Sequence, residues 1–225
     1  MTNPADSPAA ARLFEVDSAI TRAARLSGRK RSDVTLVAIS KTWDSEAIAP
    51  LIAAGQRHFG ENRVAEAEAK WPALRAATPD ITLHLVGQLQ SNKADEAVAL
   101  FDVIHSVDRL SLITALGKAM HAAGKFPPCY IQVNIGDEAQ KGGCAIGDTG
   151  ATIAAARAVG LPVVGLMAVP PADIEPAPFF ALLAKLAREH DLTGLSMGMS
   201  GDYETAVMLG STIVRVGSAL FGSRG

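Results

Sequence analysis

The chain has 225 residues, of which 48% are hydrophobic, and its 21 Lys+Arg against 23 Asp+Glu give a formal net charge of −2. This composition supplies a large core and excludes an intrinsically disordered chain, while the near-neutral charge argues against a nucleic-acid partner. The length fits one folding unit, so we expect a single domain over residues 1–225.

The cysteines and the first residues indicate a compartment. Cys129 and Cys144 form no CxxC pair and no disulfide pattern, which favours a reducing environment. Residues 1–6 have neither the basic nor the apolar region of a secretory signal. The longest apolar run, 163–169, is far shorter than the roughly 20 residues that span a bilayer. We therefore expect a cytoplasmic protein without membrane contact.

An amphipathic helix is predicted at the start of the chain. The pair Ser7-Pro8 is typical of a helix start, and Gly28 is typical of a stop. Leu13, Val16 and Ile20 fall on one face of that helix at the spacing of a buried stripe.

Short β-branched runs then alternate with helical segments to the end of the chain. The predicted strands are 36–39, 57–59, 83–86, 103–106, 130–135, 163–167, 195–197 and 212–216. Four intervening segments pair a capping aspartate with a terminating glycine, which predicts helices with defined ends. These pairs are Asp44 with Gly55, Asp108 with Gly124, Asp148 with Gly160, and Asp202 with Gly210.

Eight β-α units predict a single α/β (β/α)₈ barrel of the TIM type. A doubly wound sheet is disfavoured because no GxGxxG follows the first strand and no GxxxxGK[ST] occurs anywhere. Little chain follows the eighth strand, so the extra N-terminal helix is expected to cover it.

In such a barrel the functional residues follow the strands, where the loops are free of packing constraints. Lys41 comes directly after the first strand, where partial desolvation makes an amine nucleophilic toward aldehydes. The alternative is a lysine whose stem packs at the strand end while its amine reaches solvent.

Small residues after the last two strands suggest a phosphate site. Ser200-Gly201 and Gly217-Ser218 lie where barrels commonly hold phosphate, although ordinary turn chemistry explains them equally well. Arg215 immediately precedes the second pair, with a surface ion pair as its alternative role. His84 fits a hydrogen-bonded core histidine, and the five histidines show no metal-ligand spacing.

Six ordered blocks of sequence resemble the pyridoxal phosphate homeostasis protein family over nearly the whole chain. The blocks are VAISKT at 37–42, FGENR at 59–63, HLVGQLQSNK at 84–93, QVNI at 132–135, LSMGMSGD at 195–202, and GSTIVRVG at 210–217 followed by FGSR at 221–224.

The resemblance implies the barrel domain of alanine racemase standing alone, with pyridoxal 5′-phosphate (PLP) held as a Schiff base. Lys41 would be the lysine that carries the cofactor. Its phosphate would be bound by Ser200 with the backbone of Gly217 and Ser218. The resemblance further implies that Arg215 faces the pyridine nitrogen and that Asn62 and His84 line the cofactor pocket.

A guanidinium at the ring nitrogen argues against catalysis. Because it donates only, it keeps that nitrogen unprotonated, and an unprotonated ring withdraws electrons poorly. We therefore expect no enzyme but a carrier that limits free PLP and supplies it to PLP-dependent apo-enzymes by transient contact.

An amino-acid racemase with Lys41 as base is the alternative. Such an enzyme would take its second acid or base from an additional domain, for which 225 residues are expected to leave no room. A barrel isomerase in which Lys41 acts on a sugar-phosphate carbonyl is the third interpretation.

The loop over residues 136–147 is the predicted route of delivery. It contains four glycines, which lower the cost of backbone rearrangement, and it carries Lys141. Lys141 is predicted to capture the aldehyde as it leaves Lys41, and a solvated loop with a solubilising lysine is the alternative.

Overall fold

The computed structural model describes residues 7–222, so residues 1–6 and the Ser223-Arg224 end of the last sequence block lie outside the described residues. Eight parallel strands form a closed barrel in chain order, with β1 paired to both β2 and β8. The strands are β1 (Thr35–Ile39), β2 (His58–Glu61), β3 (Thr82–Leu85), β4 (Val103–Val107), β5 (Cys129–Gln132), β6 (Val163–Met167), β7 (Gly194–Ser196) and β8 (Ile213–Val216). The predicted α/β (β/α)₈ barrel is confirmed.

The helices form the outer layer. They are α1 (Pro8–Leu26), α2 (Ser45–Ala53), α3 (Val64–Ala77), α4 (Ala94–Leu100), α5 (Leu110–Ala123), α6 (Thr149–Ala158), α7 (Ala177–Glu189), α8 (Tyr203–Met208) and α9 (Ser218–Phe221). No helix within residues 7–222 is both long enough and apolar enough to cross a membrane.

The extra N-terminal helix occupies the place expected for it. The Ser7 hydroxyl accepts the backbone N–H of Ala10 at 3.1 Å, which caps α1, and Val16 and Ile20 are buried. The helix packs against α2, α8 and the short α9. A bond of 2.6 Å from Arg12 Nε to the Leu220 carbonyl ties it to the end of the barrel. Helix α1 therefore lies between α8 and α2, in the place that a helix after the eighth strand normally takes.

Only one of the four predicted aspartate caps forms. Asp44 Oδ1 accepts the N–H of Ala47 at 2.8 Å, whereas Asp108, Asp148 and Asp202 make no side-chain capping bond. The prediction is wrong for Asp108 because its carboxylate pairs with Arg109 and accepts the N–H of Gly143. It is wrong for Asp202 because that carboxylate accepts the N–H of Met199 at 2.6 Å.

The predicted terminating glycines adopt the left-handed conformation that such positions require. Their φ angles are +101° at Gly55, +62° at Gly124, +83° at Gly160 and +98° at Gly210. Each of these turns leads from a helix into the next strand, at the end of the barrel opposite the loops that follow the strands.

Candidate functional site

A cavity of about 540 Å³ opens at the carboxyl ends of β1, β7 and β8. It brings together residues that are separated by as many as 183 positions in the chain, from Ile39 to Gly222, because the barrel closes β8 against β1. Its lining consists of Ile39, Lys41, Trp43, Met199, Ser200, Gly201, Arg215, Gly217, Ser218 and Gly222. Five of the seven predicted site residues therefore share one cavity.

Lys41 lies half-buried in the turn that follows β1. The ammonium of Lys70 on α3 holds both sides of this turn, donating to the Ser40 carbonyl at 2.9 Å and to the Trp43 carbonyl at 3.0 Å. Between them Thr42 has a φ of +67°, which a β-branched residue rarely adopts. Lys70 thus stabilises a strained turn that presents Lys41 to the cavity.

Two carboxylates balance the charge of Lys70. Its Nζ lies 2.9 Å from an oxygen of Glu61 and 2.9 Å from an oxygen of Glu66, and both Lys70 and Glu61 are buried. The same Glu61 oxygen also accepts from the Ser40 hydroxyl at 2.6 Å and from the Trp71 indole at 2.9 Å. Our sequence analysis missed this cluster, although Glu66 and Lys70 stand at the i,i+4 spacing of a helical ion pair.

Ser200 and the start of α9 form one wall of the cavity. The backbone N–H of Gly217 donates to the Ser200 hydroxyl oxygen at 3.1 Å, which fixes the loop after β7 against the end of β8. Trp43 also lines the cavity and stacks on Phe221 of α9, with ring centroids 5.3 Å apart and planes inclined by 13°. The sequence patterns did not indicate that Trp43 belongs to the site.

Arg215 is a buried cation that faces the same cavity. It donates to two neutral acceptors, the Ser196 hydroxyl at 2.6 Å and the Ala168 carbonyl at 2.9 Å. Burial lowers the pKa of Arg215 from 12.5 to about 10, so it stays charged at neutral pH. The lining contains Lys41 and Arg215 but no carboxylate among the described residues. This surplus of positive charge suits an anionic ligand.

The other two predicted site residues lie outside this cavity. Asn62 lines a neighbouring cavity of about 430 Å³, together with Arg63, Gln88 and Lys93. His84 is buried inside the barrel, where its ring nitrogens meet two further histidines rather than the cavity. Its burial fits the core role that the sequence left open.

Lys141 is likewise separate from the main cavity. It lines a cavity of about 200 Å³ with Gln88, Gln132 and Asn134. Its amine forms an ion pair with Glu138 and donates to the Pro170 carbonyl at 3.0 Å. These bonds hold the loop against the barrel in this conformation.

The residues of the cavity fit PLP by their chemistry. The cofactor combines an aldehyde, an anionic phosphate and a ring nitrogen with a lone pair, and these match an amine, a set of neutral donors and a guanidinium respectively. Within residues 7–222 no group of three His, Cys, Asp or Glu side chains is arranged to bind a metal ion.

Comparison with known proteins identifies relatives over nearly the whole chain. Residues 17–225 match the family described as alanine racemase, N-terminal domain. The chain is 38% identical over 224 residues to the pyridoxal phosphate homeostasis protein of Escherichia coli, covering 94% of this chain and 95% of that one. It is 39% identical over 220 residues to the protein of the same name from Pseudomonas aeruginosa, covering 94% of each.

Solved structures agree with this relationship. PipY of Synechococcus elongatus with PLP bound is 40% identical, with a TM-score of 0.78 and coverage of 91% of this chain and 100% of that one. An alanine racemase of Clostridium difficile is only 12% identical, with a TM-score of 0.69 over 92% of this chain and 56% of that one, and shows likeness of fold alone. By sequence and by fold, therefore, the chain belongs to the pyridoxal phosphate homeostasis protein family.

Proposed function

We propose that this protein is a PLP carrier that holds the cofactor on Lys41 as a Schiff base and supplies it to other enzymes. The observation that carries the proposal is the cavity that joins Lys41, Arg215 and the Ser200 wall, with two cations and no carboxylate among its described lining residues. The names of the relatives and the PLP-bound structure of PipY support the choice of cofactor.

Each residue of the cavity has a defined role in this proposal. The ε-amine of Lys41 adds to the aldehyde carbon, and the carbonyl oxygen leaves as water. The Ser200 hydroxyl and the backbone N–H of Ser218 bind the phosphate, while Gly217, whose N–H donates to the Ser200 oxygen, holds that hydroxyl in place. Arg215 donates to the ring nitrogen and keeps it unprotonated. Asn62 lines a separate cavity and does not contact the ligand in this conformation, and His84 acts through the hydrogen bonds that link it to Arg215 by way of His105 and Ser196.

The same cavity argues against a racemase. Racemisation needs a proton donor or acceptor on each face of the substrate carbon. Among the described lining residues the titratable groups are Lys41 and Arg215, and a guanidinium does not exchange protons readily near neutral pH. The match to the alanine racemase N-terminal domain family and the fold shared with an alanine racemase favour this alternative.

The test begins with the visible absorption of the purified protein after incubation with PLP. We expect a yellow species that borohydride converts to a colourless one, with the pyridoxyl mass on a peptide containing Lys41. Lys41→Ala is expected to lose the label, whereas Lys185→Ala, an exposed lysine on α7, keeps it. A label mainly on Lys93 or Lys141 would reject the assignment.

The alternatives are separated by further measurements on the same protein. Incubation with pure D- or L-amino acids tests for racemisation, and a sustained change in optical rotation would favour the enzyme. Conversion of a sugar phosphate without PLP would favour the isomerase. The carrier role itself requires that loaded protein reactivate a PLP-dependent apo-enzyme.

A further inference from the structure

Three histidines, a serine and an arginine form a continuous hydrogen-bonded chain through the barrel interior. His58 Nδ1 lies 3.1 Å from His84 Nε2, and His84 Nδ1 lies 2.9 Å from His105 Nε2. His105 Nδ1 then lies 2.8 Å from the Ser196 hydroxyl, which accepts from Arg215 at 2.6 Å. These five hydrogen-bonded residues belong to β2, β3, β4, β7 and β8, and the last of them, Arg215, lines the Lys41 cavity.

The three imidazoles are neutral. Burial and the neighbouring His58 lower the pKa of His84 from 6.5 to about 3. Burial, His84 and Arg215 hold the pKa of His105 well below its usual value, and partial burial lowers that of His58. A neutral imidazole has one donor nitrogen and one acceptor nitrogen. A ring that accepts a hydrogen bond from one neighbour therefore donates to the next.

Arg215 sets that direction. Its guanidinium only donates, so the Ser196 oxygen accepts, and the Ser196 proton must find an acceptor of its own. His105 Nδ1 is the remaining hydrogen-bond partner of this hydroxyl within residues 7–222. His105 therefore carries its proton on Nε2 and donates to His84, which in turn donates from Nε2 to His58. The opposite direction would leave the buried Ser196 proton without an acceptor, which is costly.

We propose that His58, His84 and His105 are positioning residues that hold the Ser196 hydroxyl in place and thereby orient Arg215 toward the cavity. Tyr130 supports the chain by stacking on His105, with ring centroids 4.7 Å apart and planes inclined by 12°. The orientation of Arg215 matters for the ring nitrogen only if PLP is bound as described above, so this part of the inference rests on the proposed function. The predicted tautomers of the three histidines do not depend on whether PLP binds.

The first test uses the ligand-free wild-type protein. Long-range ¹⁵N–¹H NMR spectra of the imidazoles distinguish the two neutral tautomers. We expect His58, His84 and His105 to carry the proton on Nε2. Protonation on Nδ1 at His84 and His105, or a cationic ring at either position at neutral pH, would overturn the proposal. This measurement needs neither PLP nor a variant.

The second test removes the link next to Ser196. His105→Phe keeps an aromatic ring against Tyr130 but has no donor or acceptor, and His105→Gln keeps both. The matched control is His121→Gln, because His121 bonds to the Gly117 carbonyl and takes no part in the row of hydrogen-bonded histidines. In the wild type and the control we expect separate NMR signals for the Nη protons of Arg215, and in His105→Phe we expect them to average. His105→Gln should restore part of the separation. Unchanged Arg215 signals in a folded His105→Phe protein would refute the positioning role.

Binding of PLP provides the functional readout. His105→Phe is expected to bind PLP roughly tenfold more weakly and to shift the visible absorption of the bound cofactor, because the Ser196 hydroxyl loses its acceptor and no longer holds Arg215 in one orientation. Equal affinity and an equal spectrum would contradict the link to the ligand. If the wild type itself binds no PLP, the proposed function fails, while the tautomers and the Arg215 signals still decide whether the chain positions Arg215. Should both His105 variants fail to fold, the wild-type tautomers decide.

Discussion

The Ser200 hydroxyl already has one hydrogen-bond partner. Its oxygen accepts the N–H of Gly217, so its own proton is directed to donate elsewhere, and the cavity lies beside it. A phosphate oxygen is the partner we expect. Charge-assisted hydrogen bonds of this kind contribute roughly 1.5–3 kcal/mol each.

Ser200→Ala should therefore weaken PLP binding about tenfold or more while changing the affinity for pyridoxal much less. Equilibrium titrations with both compounds measure the difference, and Ser111→Ala, an exposed serine on α5, serves as control. A wild-type protein that binds pyridoxal and PLP equally well has no phosphate site at these residues.

We propose that Arg215 determines the kind of chemistry that the site supports. If its guanidinium donates to the ring nitrogen, then Arg215→Glu presents an acceptor or an acid there and allows that nitrogen to become protonated. We expect an altered absorption spectrum with the borohydride label still on Lys41. Arg215→Lys retains a donor-only cation and should preserve the wild-type spectrum. An unchanged spectrum in a folded, loaded Arg215→Glu protein would place Arg215 away from the ring.

At the scale of elements, the turn after β1 depends on α3. Lys70→Met removes the cation that balances the buried Glu61 carboxylate and frees both carbonyls of the turn. Breaking a buried ion pair in this way typically costs about 3–5 kcal/mol, so the free energy of unfolding should fall by that amount.

Urea unfolding measures the loss, and the rate of borohydride-trapped labelling of Lys41 reports on the turn itself. The double variant Glu61→Gln with Lys70→Met should recover part of the stability, because the unpaired charge is gone. Lys185→Met, which removes only an exposed i,i+4 pair, should change stability by less than about 0.5 kcal/mol. Equal losses in the Lys70 and Lys185 variants would show that the cluster does not stabilise the turn.

Hydrogen bonds to Asn134 stabilise the loop that carries Lys141. Asn134 brackets it, donating to the Glu138 carbonyl at 2.9 Å and accepting the Glu138 N–H at 3.1 Å. Because Lys141 lines a cavity apart from that of Lys41, a relay requires this loop to move.

We predict that Lys141→Ala keeps its affinity for PLP but reactivates an apo-enzyme acceptor more slowly, with free PLP trapped during the assay. Lys118→Ala, an exposed lysine on α5, is the control. Identical rates for the wild type and Lys141→Ala would remove Lys141 from the delivery route and leave the assignment of Lys41 intact.

Patterns local in sequence were enough to predict the strands and the barrel. Alternating β-branched runs and terminating glycines act within a few residues, and the place of Lys41 follows from the end of β1. The histidine chain could not be predicted in this way. Whether His58 meets His84 depends on the register between β2 and β3, which pairs His58 with Thr82 and Gly60 with His84. The cap at Asp108 failed for a related reason, since its carboxylate accepts the N–H of Gly143, which lies 35 residues away in the chain. At Asp202 the competing partner is local, because its carboxylate turns back to the N–H of Met199.

At the scale of the whole molecule, α1 completes the outer layer. Ile20 is fully buried on its inner face, whereas Leu26 near the end of the same helix is 79% exposed. Ile20→Ala should lower the free energy of unfolding by about 2–5 kcal/mol, the usual range for a fully buried isoleucine.

Leu26→Ala is the matched control and should have an effect within about 0.5 kcal/mol. Urea unfolding followed by circular dichroism measures both. Similar small effects at the two positions would show that α1 adds little to the stability of the barrel.

The bond between Arg12 and the Leu220 carbonyl joins positions 208 residues apart and has a consequence for biosynthesis. A ribosome adds roughly 5–20 residues per second, so α1 waits on the order of ten seconds or more for the segment to which this bond ties it. During that interval β1 has no β8 to pair with, and Lys41 has neither Arg215 nor Gly217 opposite it. A nascent chain therefore cannot bind PLP in the proposed way, and the proposed site forms only when β8 has emerged from the ribosome and paired with β1.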